Sequence, residues 1–330
     1  MDPHRAKEQV AEAGRFLLQQ GLVARTWGNV SCRIDENTMA ITPSGLGYEE
    51  MTADDIAIYH MGDGSYEGSR KPSSEKGVHE TAYRQFPQAG FVVHTHQTYA
   101  SAIGLAGFGF LSPVREEAEA LEGVALARYG LPGTKTLRKN VRAALSSHAH
   151  CVLMAQHGAV IVGRDQKEAC DRALLLETVC RRACQGLPED GHETGQALLE
   201  LSEEAGRHFK YVSFTSAPAV RETASSVSSF RAQLDDMAQM IGARLRTVEA
   251  DPKSIIRGLK AQNAVLVKGL GAICQAETKG DVDALRLLTE KACISFLHTR
   301  ALGVKSALSP LDTLLMRVVY KRKYSKKIGG

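Results

Sequence analysis

Residues 264–293, AVLVKGLGAICQAETKGDVDALRLLTEKAC, lie without gaps on residues 151–180, CVLMAQHGAVIVGRDQKEACDRALLLETVC. Val152 and Leu153 match Val265 and Leu266, Gly158–Ala159 match Gly271–Ala272, and Leu174, Leu175, Glu177 and Cys180 match Leu287, Leu288, Glu290 and Cys293. Each segment reads as two short apolar strands around a tight turn, followed by an amphipathic helix. Such a unit buries its apolar faces in a layered α/β domain, so finding it twice predicts a second region that partly copies the first. Chance recurrence of strand–helix patterning is the alternative, because part of the match is apolar periodicity.

The rest of the chain supplies the layers. Helical periodicity runs over 5–20, strands are expected at 30–34, 39–42 and 56–60, and helices over 74–86, with Ser74 able to cap it, and 135–146. Strands and helices alternate without a Rossmann glycine fingerprint or a phosphate-binding P-loop. From 186 to 230 the composition turns to Gly, Ser, Thr, Glu and Pro, which predicts a linker. The expected organisation is a first domain over 1–190, a linker over 191–230 and a degenerate partial repeat with a basic tail over 231–330.

Composition excludes several classes. The net charge of +4 is exceeded by the tail KRKYSKK at 321–327 alone, so the body is near neutral and no nucleic-acid partner is expected. Seven cysteines without a CxxC pair read as reduced thiols. The N-terminus lacks an apolar signal core and no stretch reaches the ~20 apolar residues of a membrane span, so a cytoplasmic protein without membrane contact is expected.

FVVHTHQTYA at 91–100 ends an apolar run in two histidines. Positions i and i+2 of a strand share a face, so His94 and His96 look the same way. A catalytic zinc site needs three protein ligands and one open position. His157, at the turn centre QHGA of the first repeat, is the candidate third; Leu270 replaces it in the second. The other HxH, His148 and His150, sits in a polar connection and is the weaker pair. Three turns rich in small residues accompany the histidines: TWGNVS at 26–31, TPSG at 42–45 and KPSSE at 71–75. Clustered backbone N–H groups and hydroxyls cradle phosphate without many lysines. Glu75 stands where the last turn enters a helix, and either caps that helix or faces the metal pocket as an acid/base.

These motifs, with HETAYRQFP, VVHTH and QHGAVIVG, resemble in order and approximate spacing the class II, metal-dependent aldolase family, which includes fuculose-phosphate aldolases, ribulose-phosphate epimerases, decarboxylases, dehydratases and the head domain of adducin. The resemblance covers about residues 5–190. It implies a three-layer α/β/α domain with a mixed, largely antiparallel sheet, commonly assembled as a homotetramer. It makes His94, His96 and His157 the ligands of Zn²⁺ or another divalent transition metal, and Glu75 the acid/base. It makes Thr26, Gly28, Asn29, Ser44, Gly45, Ser73 and Ser74 the phosphate-binding groups. The implied activity is a lyase cleaving a phosphorylated sugar or sugar acid through a metal-stabilised enediolate. Epimerisation, decarboxylation or dehydration, or an adducin-like structural role, are the alternatives. The tyrosine that fuculose-phosphate aldolases place after the HxH is missing from 100–128, while Tyr129 matches another family tyrosine.

Overall fold

The computed structural model describes residues 1–107, 109, 111–189 and 195–324. They form two compact units, Met1–Ala183 and Cys184–Gly330. In the first, strands β1 (Asn29–Arg33), β2 (Thr38–Ile41), β3 (Ala57–His60), β4 (Tyr66–Glu67), β5 (Phe91–Thr95), β6 (Val124–Ala127), β7 (Cys151–Met154) and β8 (Gly158–Gly163) make one sheet. Its order is β4-β3-β2-β1-β5-β8-β7-β6. β6 and β7 run parallel, and the other neighbours antiparallel. Helices α2 (Lys76–Gln85) and α5 (Lys135–Leu145) pack together on one face, while α1 (Pro3–Gln19), α3 (Thr98–Ala106) and α6 (Gln166–Ala183) cover the other. A short α4 (Arg115–Leu121) leans on α6. This is the expected three-layer arrangement.

Strand alternation explains the core. Val92, Val152, Val160 and Val162 point to the α2/α5 side and join Val78, Tyr83, Leu137 and Val141 in one buried cluster. α1 starts cleanly because Asp2 accepts a hydrogen bond from the Arg5 amide and Pro3 occupies the first helical turn, where its missing N–H costs nothing.

The second unit contains α7 (Gln196–Gly206), β9 (Tyr211–Thr215), α8 (Pro218–Ser226), β10 (Ser229–Arg231), α9 (Asp235–Met240), β11 (Arg244–Val248), α10 (Pro252–Ala261), β12 (Ala264–Val267), β13 (Gly271–Ala276), α11 (Lys279–Ala301) and α12 (Pro310–Tyr324). Its sheet runs β10-β11-β12-β13-β9. The repeat is present in three dimensions: β12 pairs with β13 in the register of β7 with β8, Leu266 opposite Ala272 as Leu153 is opposite Ala159.

The copy also extends further than the sequence match. β9 pairs antiparallel with β13 as β5 does with β8, so that Thr215 opposite Ala272 stands where Thr95 stands opposite Ala159. β11 runs parallel to β12 as β6 does to β7. Residues 195–231 therefore carry α7, β9, α8 and β10 where a linker was expected. The polar composition misled because Pro218 lies in the first turn of α8, a position that tolerates proline, rather than in a connection. Of the basic tail, residues 325–330 lie outside the described residues. No helix among the described residues is long and apolar enough to cross a membrane.

Candidate metal centre and its carboxylate

His94 sits on β5 two residues after Val92, and so on the face covered by α2. β5 ends at Thr95, and His96 follows at once. His157 closes the turn between β7 and β8, its amide donating to the Met154 carbonyl at 3.1 Å. That turn holds Gln156 in the left-handed region at φ 64°, a conformation costly for a side chain other than glycine. One nitrogen of each of the three imidazoles lies within 4.8 Å of the others.

Gly28 makes the site possible from the β1 side. Its φ is 78°, and a Cβ there would stand 2.5 Å from the His94 carbonyl oxygen. Any larger residue would push β1 off the histidine strand.

The donor set suits a divalent transition metal. His94 Nδ1 donates to the Ala159 carbonyl at 2.9 Å, which leaves the lone pair on Nε2 facing the centre. That Nε2 lies 3.1 Å from His157 Nε2, with the two rings nearly parallel at 4.9 Å. Glu75 Oε2 is 3.2 Å from the first of these nitrogens and Oε1 is 3.2 Å from the second. Metal–ligand bonds of about 2.0–2.1 Å in a tetrahedron place neighbouring donors about 3.3 Å apart. The 3.1 Å between the Nε2 atoms of His94 and His157 is close to that edge length.

Glu75 is the N-cap residue of α2 but makes no side-chain capping bond. Of the two roles open to it, the carboxylate takes the one facing the histidines. Ser74, expected to cap, is exposed, and it is the Ser73 hydroxyl that accepts from the Glu75 amide at 3.2 Å. Burial would raise the Glu75 pKa, but the imidazoles of His157 and His94 outweigh it and hold the carboxyl well below its usual range.

Behind Glu75 runs a buried chain that the sequence did not suggest. Asn29 Nδ2 donates to Glu75 Oε2 at 3.2 Å, and Asn29 Oδ1 accepts from His79 Nε2. His79 Nδ1 accepts from the Ser31 hydroxyl at 2.7 Å, and the Tyr83 hydroxyl donates to the Ser31 carbonyl at 3.0 Å. Its only signal in sequence is the spacing of His79 four residues after Glu75, one turn along α2. Burial, with the nearby His94 adding to it and Glu75 opposing, pushes the His79 pKa down to about 3. The unfolded chain takes up that proton near the ordinary value of 6.5, so this contribution to stability is complete above 6.5 and is lost as the pH falls toward 3. Replacing His79 with Leu strands the Asn29 side-chain carbonyl, at about 1–3 kcal/mol, and leaves the Ser31 hydroxyl to Tyr83 alone. The urea midpoint of the variant should fall accordingly, and an unchanged midpoint would refute the chain's structural weight.

The three small-residue turns meet at this centre. Ser44 N donates to Lys71 O at 2.9 Å and Ser73 N to Thr42 O at 3.0 Å, which ties TPSG to KPSSE. The Asn29–Glu75 bond ties TWGNVS to both. The amides of Ser44 and Ser73 and the side chain of Asn29 thus hold the turns to one another. Ser44 and Ser74 are exposed, Thr26 and Gly45 half-buried, and Ser73 buried. His150 faces Glu122 at 3.5 Å and packs at a tilt on Phe86, and is not among the three grouped histidines.

Residues 8–184 match the family described as Class II Aldolase and Adducin N-terminal domain. Among solved structures, an L-fuculose 1-phosphate aldolase is 28% identical, covering 54% of this chain and 84% of its own, with a TM-score of 0.49. The L-fuculose-1-phosphate aldolase of Thermus thermophilus is 27% identical over 54% of this chain and 93% of its own, at 0.45. A sugar-phosphate aldolase from Thermotoga maritima is 21% identical over 54% and 93%, at 0.49.

Proposed function

We propose, on the premise that the chain belongs to the class II aldolase and adducin N-terminal domain family, that its first unit is a lyase which uses a divalent metal to cleave a phosphorylated sugar or sugar acid. One observation carries this reading: one nitrogen of each of His94, His96 and His157 lies within 4.8 Å of the others, and the oxygens of the Glu75 carboxylate stand 3.2 Å from two of them. A scaffold protein has no use for that convergence, since packing asks only for apolar volume at those positions.

His94, His96 and His157 would hold the ion, and three neutral imidazoles favour Zn²⁺. Bound there, the ion supplies Lewis-acid stabilisation of negative charge developing on a substrate carbonyl. The protein does the rest. Glu75, held by Asn29 and facing the histidines, takes the proton released as the carbon–carbon bond of the substrate breaks. The exposed hydroxyls of Ser44 and Ser74, on turns bonded to each other beside Glu75, meet the substrate phosphate. Assembly as a homo-oligomer belongs to the same reading.

A turnover screen of the metal-loaded protein against phosphorylated ketoses and sugar acids tests the proposal. Release of an aldehyde with a three-carbon fragment supports it. Epimerised product, carbon dioxide or loss of water instead places the chain in another branch of the family, and no turnover of any member of the panel counts against an enzyme. A second test concerns the phosphate. Inorganic phosphate should compete with substrate, and Ser74→Ala should raise its inhibition constant. Ser74 is the informative position because Asn29 also supports Glu75. Activity indifferent to tens of millimolar phosphate would refute the phosphate pocket.

A further inference from the structure

In the first unit the outer edge of β5 is covered by β1, antiparallel, with Asn29 opposite His94 and Cys32 opposite Phe91. β9 holds the place of β5 in the second unit, and it is the last strand of its sheet. No counterpart of β1 to β4 occurs there among the described residues. A cleft of about 580 Å³ lies in that place, lined by Leu199, Glu203, Phe209, Lys210, Arg286 and the consecutive residues Val212, Ser213 and Phe214. Neighbouring residues of a strand point to opposite faces. A cleft that touches all three, with α7 on one side and Arg286 of α11 on the other, follows the edge of the strand rather than a face of the sheet.

The two edges of this sheet differ. β10, at the far end, is three residues long and finishes on the exposed Arg231, the usual protection against unwanted pairing. β9 is YVSFT, five residues of β-branched, aromatic and hydroxyl type without a charge, a proline or a glycine. Tyr211 is 38% exposed.

We propose that β9 is the docking edge for a second copy of this chain, the two strands pairing antiparallel about a two-fold axis. Centred on Ser213, that pairing sets Tyr211 opposite Thr215, Val212 opposite Phe214, and Ser213 opposite its own copy. These are aromatic–β-branched and hydroxyl pairs, the kinds that stabilise antiparallel ladders. Charge points the same way. The strand itself is neutral and the cleft carries both signs, Glu203 against Lys210 and Arg286, so two copies meet without like-charge opposition along the ladder. A strongly acidic or basic peptide would meet one opposing charge. A two-fold contact is also isologous, so the same edge serves both partners and leaves no strand open.

The dyad position gives a direct test. Residues opposite each other in an antiparallel pair have Cβ atoms ~4.5–5.5 Å apart, close enough for a disulfide after small adjustment. Ser213→Cys, oxidised mildly in the native protein, should give a covalent dimer on a non-reducing gel. The wild type should not, since its cysteines are buried except for the half-buried Cys184. Ser213→Lys, which places two like charges at the axis, should halve the solution mass measured by sedimentation while leaving the far-UV circular dichroism spectrum and metal content unchanged. A wild-type mass for Ser213→Lys, or failure of Ser213→Cys to cross-link, overturns the proposal, and neither readout depends on the activity of the first unit.

Discussion

Glu75→Gln should fold, keep its metal and lose turnover by ~10²–10⁴-fold, the range for removal of an acid/base. The substitution is conservative in shape and decisive in chemistry. A glutamine retains a carbonyl oxygen that can accept from Asn29 Nδ2 as Glu75 Oε2 does at 3.2 Å. What it cannot do is take up a proton. The loss should fall on kcat, with KM little changed, because the phosphate turns are intact. Near-normal kcat would reduce Glu75 to a structural role, and loss of metal together with turnover would make it a ligand.

Much of this site is legible in the sequence alone. HxH at a strand end has a geometric meaning that two residues suffice to state, and the turn centre of the repeat singled out His157 because the second copy lacks it. Glu75 was legible as an alternative between capping and catalysis, and only the direction of its side chain decides between them. The chain from Asn29 through His79 to Ser31 was not legible. It links residues about fifty positions apart through side-chain bonds that leave no periodic trace. The second unit shows the same limit in another form. Its repeat was visible where apolar residues recur, over β12, β13 and α11, because packing preserves hydrophobicity. It was invisible over α7 and β9, where the residues that make β5 conspicuous, its histidines, are gone. A strand reading YVSFTSAP carries no mark of having replaced FVVHTHQT, and only the shared pairing to β13 and β8 reveals it.

That correspondence decides how many metal ions one chain should hold. Through the common register, Phe214 stands in the second unit where His94 stands in the first, and Ser216 where His96 does. Leu270 replaces His157. Gly195, the N-cap of α7, occupies the place of Glu75, the N-cap of α2. Each group of the metal centre has been replaced while the strands and helices that held them persist, as expected if packing constrains only apolar period and volume whereas a metal needs imidazoles at defined distances. The backbone records the same release. Gln156 holds the turn before His157 at φ 64°, and the matching residue before Leu270 is Gly269 at φ 72°. The conformation is kept, but the residue that adopts it at a cost survives only beside the histidines. One zinc per chain is therefore the expected result of elemental analysis on metal-replete protein, and His157→Ala should lose it on dialysis while the second unit remains folded. About two ions per chain, or one that survives His157→Ala with unchanged affinity, would overturn both the ligand assignment and the reading of the second unit as a framework without a metal centre.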